Sequence, residues 1–235
     1  MKFEYYYNNV PGIGKTRNNL VYTSLVNTDM TVFVQWYHND TEYHNGQNEV
    51  VDSNLMQSKF DRELKYLQLM SKSYPNCVPR ILDVDEVNRK IYLLIDGLDF
   101  WNRSNCEIKY YDETLPTWRE QMLNIVDIHK ELGLHKYSMH PSSYFIVNKQ
   151  LKSINYFFAY HKSEPEICIN DVVSHIYSDR LEKLKEYTDK HNIPWDSPVS
   201  YDILDKLCYN SFRNNYPEDF INNILERSGD SNLRP

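Results

Sequence analysis

Over the first hundred residues the apolar positions fall in short β-type runs interrupted once by a helical period. Asn18–Leu25 and Thr31–Tyr37 carry Val, Leu, Phe, Thr and Trp, residues that suit a pleated surface, and Asn27-Thr28-Asp29 between them is turn chemistry. The aromatic Lys2–Tyr7 stretch predicts one further strand, and the polar His38–Asn48 stretch predicts a loop. Met56, Phe60, Leu64 and Leu67 recur at helical spacing, which predicts a helix over Ser53–Ser73 ended by Tyr74-Pro75-Asn76. Glu63 lies three residues after Phe60 and four before Leu67, so it falls on the apolar side of that helix. A carboxylate there needs a partner. Val78–Val84 and Lys90–Ile95 predict two more strands around an Asp85–Arg89 turn, and Asp96-Gly97 breaks the second.

After Gly97 the pattern turns mainly helical, which predicts a β-rich unit over 1–97 and a helical one over 98–235. Pro116 can stand in the first turn of a helix. Trp118, Met122, Ile125, His129 and Leu132 then share one face, and Gly133 stops the helix. Tyr144–Val147 and Leu151–Phe158, joined by Asn148-Lys149-Gln150, predict a small hairpin. Helical patterns follow over Asn170–His191, Tyr201–Phe212 and Pro217–Arg227, and Ser228–Pro235 reads as a frayed tail.

Composition narrows the function classes. The 20 Tyr and 9 Phe supply the bulk for a core in a chain of otherwise polar character. A net charge of -7 without a basic face predicts no nucleic-acid partner. Cys77, Cys106, Cys168 and Cys208 are too dispersed for a zinc knuckle or a redox motif. No apolar run is long enough to span a bilayer and the first residues lack a secretory pattern, so the expectation is a cytoplasmic protein with reduced thiols and no membrane contact. Abundant Asn, Tyr, Lys and Ile with only 6 Gly point to an AT-rich genome, such as a phage or small bacterium.

The order of these elements, together with several short strings, resembles the protein-kinase-like superfamily from about Val10 to Phe220. The strings are Phe60-Asp61-Arg62-Glu63-Leu64, Ile91-Tyr92-Leu93-Leu94-Ile95-Asp96-Gly97 and His140-Pro141-Ser142-Ser143-Tyr144-Phe145-Ile146-Val147. Leu151-Lys152-Ser153-Ile154-Asn155-Tyr156-Phe157 is similar to that family's metal-binding strand, and Asn170-Asp171-Val172-Val173-Ser174 to the start of the helix that anchors its lower lobe. The resemblance implies an α+β, protein-kinase-like two-lobed fold: an antiparallel five-stranded N-lobe with one helix, then a mainly α-helical C-lobe.

Carried over residue by residue, the resemblance implies a degenerate site. Phosphoryl transfer in that family needs a strand lysine, a helix carboxylate, a catalytic carboxylate and metal ligands. The lysine position falls at Gln35, which brings no charge. The helix carboxylate is retained as Glu63. The catalytic aspartate falls at Ser138, the asparagine metal ligand at Ser143 and the aspartate metal ligand at Asn155. Magnesium prefers anionic oxygen, and no Asp or Glu lies between His135 and Phe158. The resemblance places Gly12, Gly14 and Lys15 in a loop over nucleotide phosphates, with Ile95 and Gly97 at the nucleotide's edge. No metal ligand set survives, so ATP, if bound, is bound without metal.

Two competing readings share these residues. Lys15 could supply the missing charge, similar to the relocated lysine of the with-no-lysine kinases, and with Glu63 make an atypical active phosphotransferase. Alternatively, 9–16 reads as a Walker A-like loop and 91–96 as a Walker B-like strand of a P-loop NTPase. Against the latter, Arg17-Asn18-Asn19 is a poor helix start and Asn9 replaces the first glycine. The expectation is a pseudokinase-like binding or regulatory scaffold, leaning away from enzyme activity, with weak or no nucleotide binding, whose ligand is a nucleotide held without metal or another protein that the chain does not name. His129 on its apolar face reads as a core histidine and not a zinc ligand. Ser138 and Ser143 near His135 and His140 lack the surroundings of a hydrolase nucleophile.

Overall fold

Alternation along one strand sets the layering of the first half of the molecule. The computed structural model describes residues 20–27, 30–37, 42–44, 47–49, 53–95, 98–100, 109–137, 139–164, 167–168, 185–186, 188–190, 192–194, 198–199 and 215–227. In chain order the elements used below are β1 (Leu20–Asn27), β2 (Met30–Tyr37), β3 (Glu42–His44), β4 (Gln47–Glu49), α1 (Ser53–Ser73), β5 (Arg80–Asp85) and β6 (Lys90–Leu94). These are followed by β7 (Leu98–Asp99), α2 (Lys109–Thr114), α3 (Trp118–Glu131), β8 (Leu134–Lys136), β9 (Tyr144–Val147), β10 (Gln150–Ser153) and β11 (Ala159–His161). Two-residue strands β12 (Ile167–Cys168) and β13 (Pro198–Val199) pair with each other, and α4 (Glu218–Arg227) is the last described helix. The protein is thus mixed α and β with small antiparallel sheets, and it divides into two compact units.

The first unit comprises Met1–Leu98 with Phe145–Phe157. Its sheet has the order β1-β2-β6-β5, antiparallel throughout. Period-two alternation sends Val32, Val34 and Trp36 to one face, where they meet Tyr92 and Leu82. Phe33, Gln35 and Tyr37 therefore take the other face, which is the face of α1: the Tyr37 and Phe60 rings stand edge-on at 6.1 Å. Helix α1 buries Met56, Phe60, Glu63, Leu67 and Met70, a four-three repeat that makes one seam. Glu63 occupies the seam position that the spacing alone also offered to Leu64, and Leu64 is only half-buried. The Phe145 ring packs edge-on against Phe33 at 5.1 Å, and Ser153 donates its N–H to the Cys77 carbonyl at 2.7 Å. Burial pushes the Cys77 thiol up, outweighing the opposing pull of Lys152.

The second unit comprises Asp99–Tyr144 and Phe158–Pro235. Trp118, Met122, Ile125, Val126 and His129 of α3 are buried. Trp118 gathers Phe220 at 4.9 Å, Phe100 at 5.3 Å and Tyr216 at 6.3 Å into one aromatic cluster. Helix α4 is pinned at its end, where Lys130 donates to the Arg227 carbonyl at 2.7 Å and Arg227 meets Asp127 at 2.6 Å. Gly133 ends α3 at φ +66, the left-handed region that favours glycine, and an added Cβ would lie 2.7 Å from the Lys162 side chain. Because that side chain is exposed and can move aside, the strain is mostly backbone. Gly133→Ala is expected to cost about 1 kcal/mol in urea denaturation.

Several expectations are corrected. The 38–48 loop contains the paired strands β3 and β4. The second hairpin strand ends at Ser153 and not Phe158, because Asn155 turns the chain at φ +65 and Tyr156–Phe158 forms a 3-10 turn. Helix α3 starts at Trp118, two residues after Pro116. The predicted first strand at Lys2–Tyr7, the Tyr201–Phe212 helix and nearly all of the Asn170–His191 helix lie outside the described residues, as does the break at Asp96-Gly97. Among the described residues, no helix is long and apolar enough to cross a membrane.

Candidate functional site

The central strand β2 places a glutamine in an otherwise apolar layer, and α1 places a glutamate opposite it. Gln35 and Glu63 are both fully buried, at 0% exposure, and Asn155 just past β10 is buried at 5%. The Gln35 side-chain amide donates through Nε2 to Glu63 Oε1 at 3.1 Å and to Asn155 Oδ1 at 3.3 Å. The Asn155 backbone N–H donates to Glu63 Oε1 at 3.0 Å, and the Phe157 N–H donates to Oε2 at 2.8 Å. Glu63 thus holds the N–H groups of the two residues that flank Tyr156. Bonds of this type, with an ionised acceptor, are the stronger class of hydrogen bond.

The backbone makes this grip available. Asn155 at φ +65 adopts a conformation that asparagine tolerates better than most side-chain-bearing residues. That turn brings the Asn155 and Phe157 N–H groups, two residues apart, to the same carboxylate. The same turn ends β10, so strand termination and carboxylate capture are one event. With Nε2 committed to two acceptors, the Gln35 Oε1 atom points away from Glu63 and has no hydrogen-bond partner among the described residues. The arrangement binds its own backbone and leaves both Glu63 oxygens engaged.

Of the residues that the sequence singles out, the structure brings Gln35, Glu63 and Asn155 together in the first unit. Ile95, buried at 4%, follows β6 in the same unit. Ser143 is fully buried in the second unit, in the 3-10 turn Pro141–Ser143, where its N–H donates to the His140 carbonyl at 2.8 Å. Gly12, Gly14, Lys15, Gly97 and Ser138 lie outside the described residues, as does the whole 9–16 loop. No group of three or more His, Cys, Asp or Glu side chains that could hold a metal ion occurs among the described residues.

Sequence reasoning missed one participant. The Phe157 N–H, a backbone group, has no sequence signal. No protein-family model matches the chain, and no curated protein matches its sequence.

Proposed function

We propose that this chain is a degenerate member of the protein-kinase-like superfamily, with a two-lobed fold, acting as a pseudokinase-like binding or regulatory scaffold. The observation that carries the reading is the hydrogen-bond set that joins Gln35, Glu63 and Asn155. The resemblance aligns these residues with the strand lysine, helix carboxylate and metal-binding aspartate of active members. Here they bond to one another: the strand residue is neutral, the carboxylate holds backbone amides, and the third residue is an amide that accepts from the first. Positioning survives in such a cluster while the charges that phosphoryl transfer relies on do not.

The alternatives draw less support. An active enzyme using Lys15 and Glu63 would need a carboxylate released from Asn155 and Phe157. A Walker B strand belongs to a largely parallel sheet, whereas β6 is antiparallel to both β2 and β5. The test is thermal denaturation with ATP, with magnesium and with EDTA. A site without metal ligands gives the same melting temperature in both, whether or not ATP itself binds. A specific ligand at a hundred times its Kd would stabilise by about 2.7 kcal/mol, so a magnesium-dependent gain of several degrees with turnover would overturn the reading.

A further inference from the structure

We propose that helix α4, with Tyr216 just before it, is a latch that opens as one unit and sets the shape of the 139–143 segment. The helix lies along α3 and runs the same way. Tyr216 and Phe220 meet Trp118, the first residue of α3, at 6.3 and 4.9 Å, and Arg227 meets Asp127 near the far end of α3 at 2.6 Å. The spans agree: Trp118 to Asp127 and Phe220 to Arg227 cover roughly 14 and 11 Å of helix. The two ends are held differently. At the inner end Tyr216 is buried, its hydroxyl donates to the Met139 carbonyl at 2.6 Å, and Met139 Sδ accepts from the Tyr144 hydroxyl at 3.3 Å. At the outer end the Arg227 and Asp127 side chains are 43% and 49% exposed. Exposed ion pairs are weak, so the outer end gives way first.

The consequence is a mechanical link from the surface to a buried segment. Phe220, Ile221 and Ile224 bury one face of α4, so the helix docks or leaves through that face as a whole. When it leaves, Tyr216 gives up its place beside Trp118 and the Met139 carbonyl loses this donor. The 139–143 segment follows Ser138 and contains Ser143, two positions that the kinase-like resemblance singles out. A molecule that captures the exposed Arg227 guanidinium thus acts on that segment. The latch rests on these contacts and not on the resemblance, so it and the scaffold reading can fail independently.

The experiment is hydrogen exchange of the full chain, under conditions where exchange follows the population of open forms. Arg227→Ala is expected to speed exchange in α4 roughly two- to fivefold, and by the same factor at the Ser143 amide, which donates to the His140 carbonyl at 2.8 Å. Tyr216→Phe keeps the ring and removes the hydroxyl, and is expected to speed the same two sets roughly tenfold. Amides of Met122–Val126 in α3 keep the parent's rates in both variants. An unchanged Ser143 amide in Arg227→Ala would overturn the latch, because the two ends of α4 would then open separately. Equal acceleration at Met122–Val126 would overturn it as well, since the whole unit would be loosened and not the latch.

Discussion

Replacing Glu63 by alanine is expected to remove about 3–5 kcal/mol of folding stability, the scale seen when one partner of a buried charged network is deleted. The cost comes from the donors left behind. Asn155 N–H and Phe157 N–H lose the oxygens they reach at 3.0 and 2.8 Å. Gln35 loses the nearer of its two acceptors, at 3.1 Å, and keeps Asn155. Unsatisfied buried donors cost about 1–3 kcal/mol each, and the site offers water no easy entry because Gln35 and Glu63 have no exposed surface. In equilibrium urea denaturation the midpoint should fall with little change in slope. Glu63→Gln should be intermediate, since it keeps one oxygen but turns an NH2 group toward a peptide N–H. A Glu63→Ala loss below about 1 kcal/mol would mean that the described hydrogen bonds are not what holds α1.

The second large effect is acid lability centred on His129. Its imidazole is 3% exposed within the second unit, and burial, aided by the nearby Lys136 charge, lowers its pKa from 6.5 to about 3. The folded pKa is depressed below the unfolded one. Between those two values the unfolded chain binds a proton at this residue and the folded chain does not. Stability contributed by His129 is therefore fully present above pH 6.5 and is lost as the pH falls toward about 3. The slope is about 1.4 kcal/mol per pH unit inside that window. His129→Phe keeps an aromatic ring on the apolar face of α3 without a titrating group. Urea titrations of both proteins from neutral pH downward should show the parent losing stability more steeply by that amount. Parallel pH profiles would show that His129 titrates in the folded protein as it does in water.

Local pattern made some of this architecture readable and topology hid the rest. Helix α1 was legible to its bounds, Ser53–Ser73, because four apolar positions share a period and Pro75 follows. Glu63 was legible as a buried carboxylate for the same reason. The β3–β4 pair was not expected, although Asn45-Gly46 between its strands is a strong hairpin signal, because the flanking residues are polar and carry no alternation. Strands β8 and β11 are too short for alternation to register, and their pairing joins Leu134–Lys136 to Ala159–His161 across the intervening hairpin. The shortening of β10 depends on the positive φ of Asn155, which sequence marks only as a preference. The bond from Gln35 to Asn155 spans 120 positions and leaves no local trace. Family resemblance, not periodicity, singled out those two residues.

The most direct examination of the central claim is anomalous diffraction from crystals soaked with manganese and a non-hydrolysable ATP analogue. The account predicts no anomalous peak at the Asn155 side chain and an unchanged contact from Gln35 to Glu63. An ordered manganese ion coordinated by Asn155, with Glu63 turned away from the Phe157 amide, would contradict it.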